Sequence, residues 1–213
     1  MIKRIIAHLF GFTLVGLGVS LIIFSNQGAF PLDALNWFLA ELTPSKFIDN
    51  GVWNYIMSTL IAIVTYLIIR KPKVFISIVM VLFVSLSISL FGSLILNTLP
   101  QHIALKIILA PVGLLIIAFG ANFTIVSGLP AAPVEQLMVV LTIHTNSLKR
   151  SRYYMEAVFA ALAIVVGLIY GDLFKQIGWF SVVAILFIGP LMELLMPLNK
   201  KIIGLKENEN EVK

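Results

Sequence analysis

The chain has 213 residues, of which 60% are hydrophobic and only 12% charged, with a formal net charge of +5 and no cysteine. A water-soluble domain carries about 25% charged residues, so a soluble globular protein is excluded, and the missing cysteine excludes disulfides, thiolate metal sites and a thiol nucleophile. The basic balance does not point to nucleic acid, because the Lys and Arg residues sit at the ends of apolar runs, where membrane orientation accounts for them.

Crossing a bilayer takes about 20 mostly apolar residues. The first such run, about 5–25, follows Lys3-Arg4. It is too long for a signal-peptide core and no small-residue cleavage pattern follows, so it is read as a retained helix. A polar break, Ser25-Asn26-Gln27-Gly28-Ala29-Phe30, comes next and ends on Pro31. Proline suits the first turn of a helix, where its missing N–H is not needed. Asp33 then falls where a negative charge favours the helix dipole. The segment 31–42 is helical in pattern but too short to cross. Runs at about 52–70 and 74–97 supply spans two and three.

Span four, about 103–127, opens a second copy of this pattern. Gly11 recurs as Gly113, Gly18 as Gly120, Ser25 as Ser127, Pro31 as Pro133 and Leu35 as Leu137, all at an ungapped offset of 102 residues. Asp33 falls on Glu135, and Asn54 on Glu156. The second short segment is 133–144, and spans five and six are about 154–171 and 178–198. The fold class is therefore an all-α polytopic membrane bundle with six transmembrane helices in two repeats, about 1–100 and 103–199, each with a short interfacial or re-entrant helix. The whole is a single membrane domain, 1–199, followed by a polar tail, 200–213.

With the N-terminus on the cytoplasmic side, twelve Lys and Arg residues fall inside and three (Lys46, Lys106, Lys175) outside. This bias places both termini in the cytoplasm of a bacterial cell, with the chain multi-pass in its cytoplasmic membrane. Three spans per repeat is an odd number, so the second repeat enters from the opposite face and the two are inverted. Paired, broken helices in inverted repeats are the best sequence pointer to a transporter-like site near the midplane.

The candidate substrate-binding or gating residues follow. Asp33 and Glu135 open the short helices, Pro31 and Pro133 start them, and Asn26 and Gly28 form the first break. Asn54 and Glu156 are polar groups paired by the repeat. Two readings of the short helices remain open: an interfacial helix whose acid only steadies its N-terminus, or a re-entrant element lining a cavity. Glu156 also stands four residues after Arg152, the spacing of an ordinary helical ion pair. Asn122 lies inside span four, where an interhelical hydrogen bond is the simpler role. Glu193 follows the helix-bending Pro190; it either reaches the cytoplasmic headgroups beside Lys200, the simpler role, or faces the bundle. The small residues of spans one and four are assigned to close helix packing. Trp37, Trp53 and Trp179 fall near span ends, as an aromatic belt does.

His8, His102 and His144 have no ligand spacing, so no metal site is expected. No phosphate-binding glycine loop is present, no cofactor is expected, and no nucleophile–base pair marks an enzyme. The expected partners are the lipid bilayer, a small solute of unknown identity, and a second copy or another membrane protein.

The first break, Gly28-Ala29-Phe30-Pro31-Leu32-Asp33, the second, Pro133-Val134-Glu135-Gln136-Leu137-Met138, the stretch Asn146-Ser147 to Glu156 with Arg150 and Arg152, and the terminal Ile188-Gly189-Pro190 resemble the YczE/YyaS/YitT-like bacterial membrane proteins, nearest the YczE branch. The resemblance runs over most of 1–198. Glu135 stands where Asp is more usual, and Gly178-Trp179-Phe180-Ser181 departs from the small Gly/Thr-rich turn before the last helix. It implies an integral membrane protein and names no substrate. Two functions fit: a small-solute transporter or permease with its site between the repeats, or a non-enzymatic accessory or solute-binding subunit of a larger membrane complex.

Overall fold

The computed structural model describes residues 2–45 and 47–203. Lys46 and the predicted tail beyond 203 lie outside the described residues. The chain forms eight α-helices among the described residues: α1 (Ile2–Ser25), α2 (Pro31–Leu42), α3 (Asn50–Ile69), α4 (Phe75–Thr98), α5 (Ile103–Val126), α6 (Pro133–Thr145), α7 (Leu148–Tyr170) and α8 (Trp179–Ile203). Short 3-10 turns at Pro72–Val74 and Leu173–Lys175 complete the α3–α4 and α7–α8 connections. Six helices are long and apolar enough to cross a membrane; α2 and α6 are not among them. The result is a polytopic helical bundle whose outward faces stay apolar, as in Leu60, Leu67, Leu90 and Leu168.

Two helices differ from their expected limits. α7 begins at Leu148, not near 154, because the Ser147 side chain accepts the Arg150 N–H and caps an earlier start; such a cap satisfies one of the orphan donors of the first turn. α8 runs on to Ile203, so the boundary drawn at 199 falls inside a helix. Its last turn carries Lys200 and Lys201, and cations there favour the helix dipole.

The bundle is centred on α1 and α5, which run antiparallel. Gly11 meets Gly120 and Gly18 meets Gly113: a Cβ on any of the four would stand 2.6–2.7 Å from the opposing carbonyl oxygen. Only hydrogen side chains permit that backbone approach.

The two breaks begin alike and part at Gly28, whose φ of 116° the proline at the matching position 130 cannot adopt. Ser25 Oγ donates to Ile22 O (2.5 Å) and accepts from Gln27 N (3.2 Å); Ser127 Oγ donates to Thr124 O (2.6 Å) and accepts from Leu129 N (3.2 Å). Asn26 and Gly128 take the positive φ that turns the chain, at 52° and 68°. Asparagine and glycine are the residues that tolerate this conformation best. Pro31 and Pro133 then occupy the first turns of α2 and α6, and the carbonyls of Phe30 and Ala132 receive the first helical N–H bonds, from Ala34 and Gln136.

The short helices do not lie flat on the bundle's rim. Leu32 and Val134, one residue into each, both pack against a single cluster of Ile61, Met155 and Phe159. Ile61 and Phe159 sit midway along α3 and α7. The first turns of α2 and α6 therefore reach inward to the middle of two long helices. The far end of α2 returns toward the other end of α7, where Phe38 and Trp37 stack with Tyr170.

Candidate functional site

A cavity of about 780 Å³ lies among the helices. Its walls are mostly apolar, from Phe12, Val15 and Val19 of α1, Val81, Val84 and Ile88 of α4, and Phe159 of α7. Four carboxylates line it: Asp33 at the start of α2, Glu135 at the start of α6, Glu156 on α7 and Glu193 on α8. Two bases, Arg152 and Lys200, line it as well.

Local sequence explains how the acids arrive there. The Pro-x-acid order of Pro31-Leu32-Asp33 and Pro133-Val134-Glu135 puts the carboxylate in the first helical turn, and the inward tilt of both short helices carries that turn to the cavity. Asp33 is half-buried, and its side chain makes no hydrogen bond or ion pair among the described residues. Enclosure by protein pushes its carboxyl up to about 7, and the negative charge of Glu156 pushes the same way; both effects disfavour the charged form. Arg152 stands within electrostatic reach of both Glu135 and Glu156. Asn54 is 7% exposed; its Oδ1 accepts from Ser85 Oγ at 3.0 Å, which fixes the amide, while its Nδ2 has no protein partner among the described residues.

The cavity has one closed end and one open end. On the side away from the N-terminus, the wall residues Val19, Asn54, Ser58, Val84 and Ile88 are buried. Beyond them the first break is bonded to the α7–α8 loop. Gln176 Nε2 donates to Ile23 O at 3.0 Å and lies 3.1 Å from the Asn26 amide. Ala29 N donates to Gln176 O (2.8 Å), Phe180 N to Gln27 O (3.2 Å) and Trp179 Nε1 to Gln27 Oε1 (2.9 Å). On the N-terminal side, the lining residues Ala131, Glu135, Glu193, Pro197 and Lys200 are exposed. There the second break bonds to α1 through His8, whose Nδ1 lies 2.8 Å from Ser127 Oγ. Among the described residues, no hydrogen bond joins this break to the Pro72–Val74 turn.

The structure therefore brings Asp33, Asn54, Glu135 and Glu156 to one cavity. It does not bring the others. Asn26 and Gly28 belong to the closed end, Gly28 packing on Gly178 and Ser181. Pro31 and Pro133 are buried helix starts. Asn122 is fully buried, and its Nδ2 donates to Met192 O at 2.8 Å, tying α5 to α8; Asn199 Nδ2 does the same to Phe119 O at 2.9 Å. Glu193 lines the cavity as well, the bundle-facing of its two readings. Trp179, at the start of α8, also donates to Gln27 Oε1. The latch residue Gln176 had no sequence signal, because its partners lie about 150 positions away. No group of three or more His, Cys, Asp or Glu able to hold a metal occurs among the described residues.

Comparison with known proteins sets the cavity in a family without supplying a ligand. The chain is 25% identical to "Uncharacterized protein YyaS" of Bacillus subtilis (strain 168) over 191 residues, covering 88% of this chain and 90% of that protein. No solved structure matches. A family of unknown function, DUF6198, matches residues 2–197, and the chain belongs to that family.

Proposed function

We propose that the chain is a small-solute transporter or permease of the cytoplasmic membrane, built from two inverted three-span repeats and held here with its cavity open to the cytoplasm. The observation that carries this reading is the cavity's asymmetry: it is latched behind the first break and open beside the second, although both breaks begin with the same serine-bonded turn. Rocking one repeat against the other would exchange the two ends, and the glycine contacts of α1 and α5 provide a close seam at which such motion can turn. The positive-inside bias supplies the cytoplasmic assignment of the open end. Asp33 and Glu135, the acids at the re-entrant starts, are the binding or gating groups, with Asn54 and Glu156 beside them.

The absence of native cysteine makes the test clean. A Ser58→Cys variant in oriented vesicles is exposed to a membrane-impermeant thiol reagent from each side. Fast labelling from the cytoplasmic side and slow labelling from outside are expected. A Gln27→Cys/Trp179→Cys cross-link should abolish only the outside reaction. Strictly one-sided labelling, unmoved by the cross-link, would favour a static accessory subunit and end the transport reading.

A further inference from the structure

The cavity's charge is not balanced along its length. Arg152 serves Glu135 and Glu156 together, and Lys200 stands at the open mouth with Glu193. Asp33 is left without a protein countercharge or hydrogen-bond donor among the described residues. A lone carboxylate enclosed by protein is costly unless a cation or a proton joins it.

The surroundings narrow what that cation is. A small hydrated metal ion would need several convergent oxygens, and no such group of acids exists among the described residues. The walls are instead those of an organic body. Phe12, Phe30 and Phe159 present aromatic surface, which attracts organic cations, and Met155 and Met192 add adaptable apolar contact,. A volume of about 780 Å³ falls in the range of small-molecule sites, roughly 300–1,000 Å³,. Asn54 adds an independent pointer: an amide more than nine-tenths buried, held by Ser85, lining the cavity with its donor nitrogen unfilled.

We infer that the cavity binds an amphipathic organic cation, its positive group at Asp33, its apolar body against the phenylalanines and methionines, and a hydrogen-bond acceptor within reach of Asn54. This deepens the transport reading and rests on it for what is carried. Binding itself requires no translocation, so the two stand or fall separately.

The test uses the full chain purified in detergent and two probes of matched shape and opposite charge, tetraphenylphosphonium and tetraphenylborate, with protein-free micelles subtracted. Saturable binding of the phosphonium, at least tenfold tighter than the borate, is expected. Tetramethylammonium, a cation without the apolar body, should bind at least tenfold more weakly than the phosphonium. Asp33→Asn should weaken the phosphonium at least tenfold and Asp33→Glu should restore most of it. Equal binding of both tetraphenyl ions, preference for the borate, or no saturable phosphonium binding overturns the proposal. These wild-type comparisons decide it even where the Asn variant does not fold. A folded Asp33→Asn protein with native phosphonium affinity overturns it too, while altered sidedness of Ser58→Cys labelling bears only on transport.

Discussion

Gly11 and Gly120 face each other across the α1–α5 seam so closely that a methyl group on Gly11 would stand 2.6 Å from the Gly120 carbonyl oxygen and 2.9 Å from Phe123 Cβ. Both obstacles belong to or adjoin backbone and cannot swing away. Gly11→Ala should therefore cost roughly 1–3 kcal/mol, the usual range for overpacking a tight contact. Gly92 on α4 is the control, since a methyl there would meet nothing closer than Ser20 Oγ at 3.9 Å. Gly92→Ala should be neutral or stabilising by up to about 1 kcal/mol, from backbone entropy alone. Thermal unfolding in detergent distinguishes the two.

Gln176 ties the α7–α8 loop to the first break by donating to Ile23 O and sitting beside Asn26. Gln176→Ala removes that side-chain contact while the backbone bond from Ala29 remains. A buried hydrogen bond contributes about 1 kcal/mol net, so the closed state should lose roughly a factor of 5 in population. The outside labelling rate of Ser58→Cys should rise by a similar factor. An unchanged rate would show that the latch does not set the accessible side.

The parts of the site that sequence revealed are those written in local chemistry. Pro31 and Pro133 announce helix starts, and Asp33 and Glu135 announce first turns, because proline geometry and the helix dipole act over three residues. Asn122 announced an interhelical bond, because an amide inside an apolar run must find a partner. What sequence could not give was direction. Glu193 and Lys200 lie on a helix end where periodicity does not say which face meets lipid and which meets a cavity. Arg152 looked like the partner of Glu156 four residues on, whereas the tilt of α6 also brings Glu135 within its field. Gln176 sits in a connecting loop, and only the closed bundle brings it to the first break.

The sidedness of the two short helices can be read independently of the cavity. Phe47, in the loop after α2, is 91% exposed, and His144, near the end of α6, is also exposed. In intact cells Phe47→Cys should react with an impermeant reagent, and His144→Cys only after the membrane is opened. Reaction of both from outside would remove the inversion of the repeats and with it the alternating-access argument.

Asn122 and Asn199 each donate to a carbonyl across the α5–α8 interface, at 2.8 and 2.9 Å. Neither lines the cavity. Asn122→Ala should therefore lower stability by roughly 1 kcal/mol, as interhelical hydrogen bonds in membrane proteins do, and leave phosphonium affinity within twofold. A large loss of affinity with an unchanged melting temperature would reassign Asn122 to the binding site.

The raised carboxyl of Asp33 gives a pH signature with a definite sign. Its ordinary value is 3.8 and its value in the folded chain about 7. Between those limits the folded state holds a proton that the unfolded state has released. Stability must then fall as pH rises through that window, and the whole penalty is present above about 7. Asp33→Asn cannot ionise and lacks this component. The melting temperature of the wild-type protein should drop relative to that of Asp33→Asn as pH is raised from 4 to 8, with the difference levelling off above 8. Parallel curves across that range would show that Asp33 is already ionised in the folded protein, with water in the cavity meeting its charge.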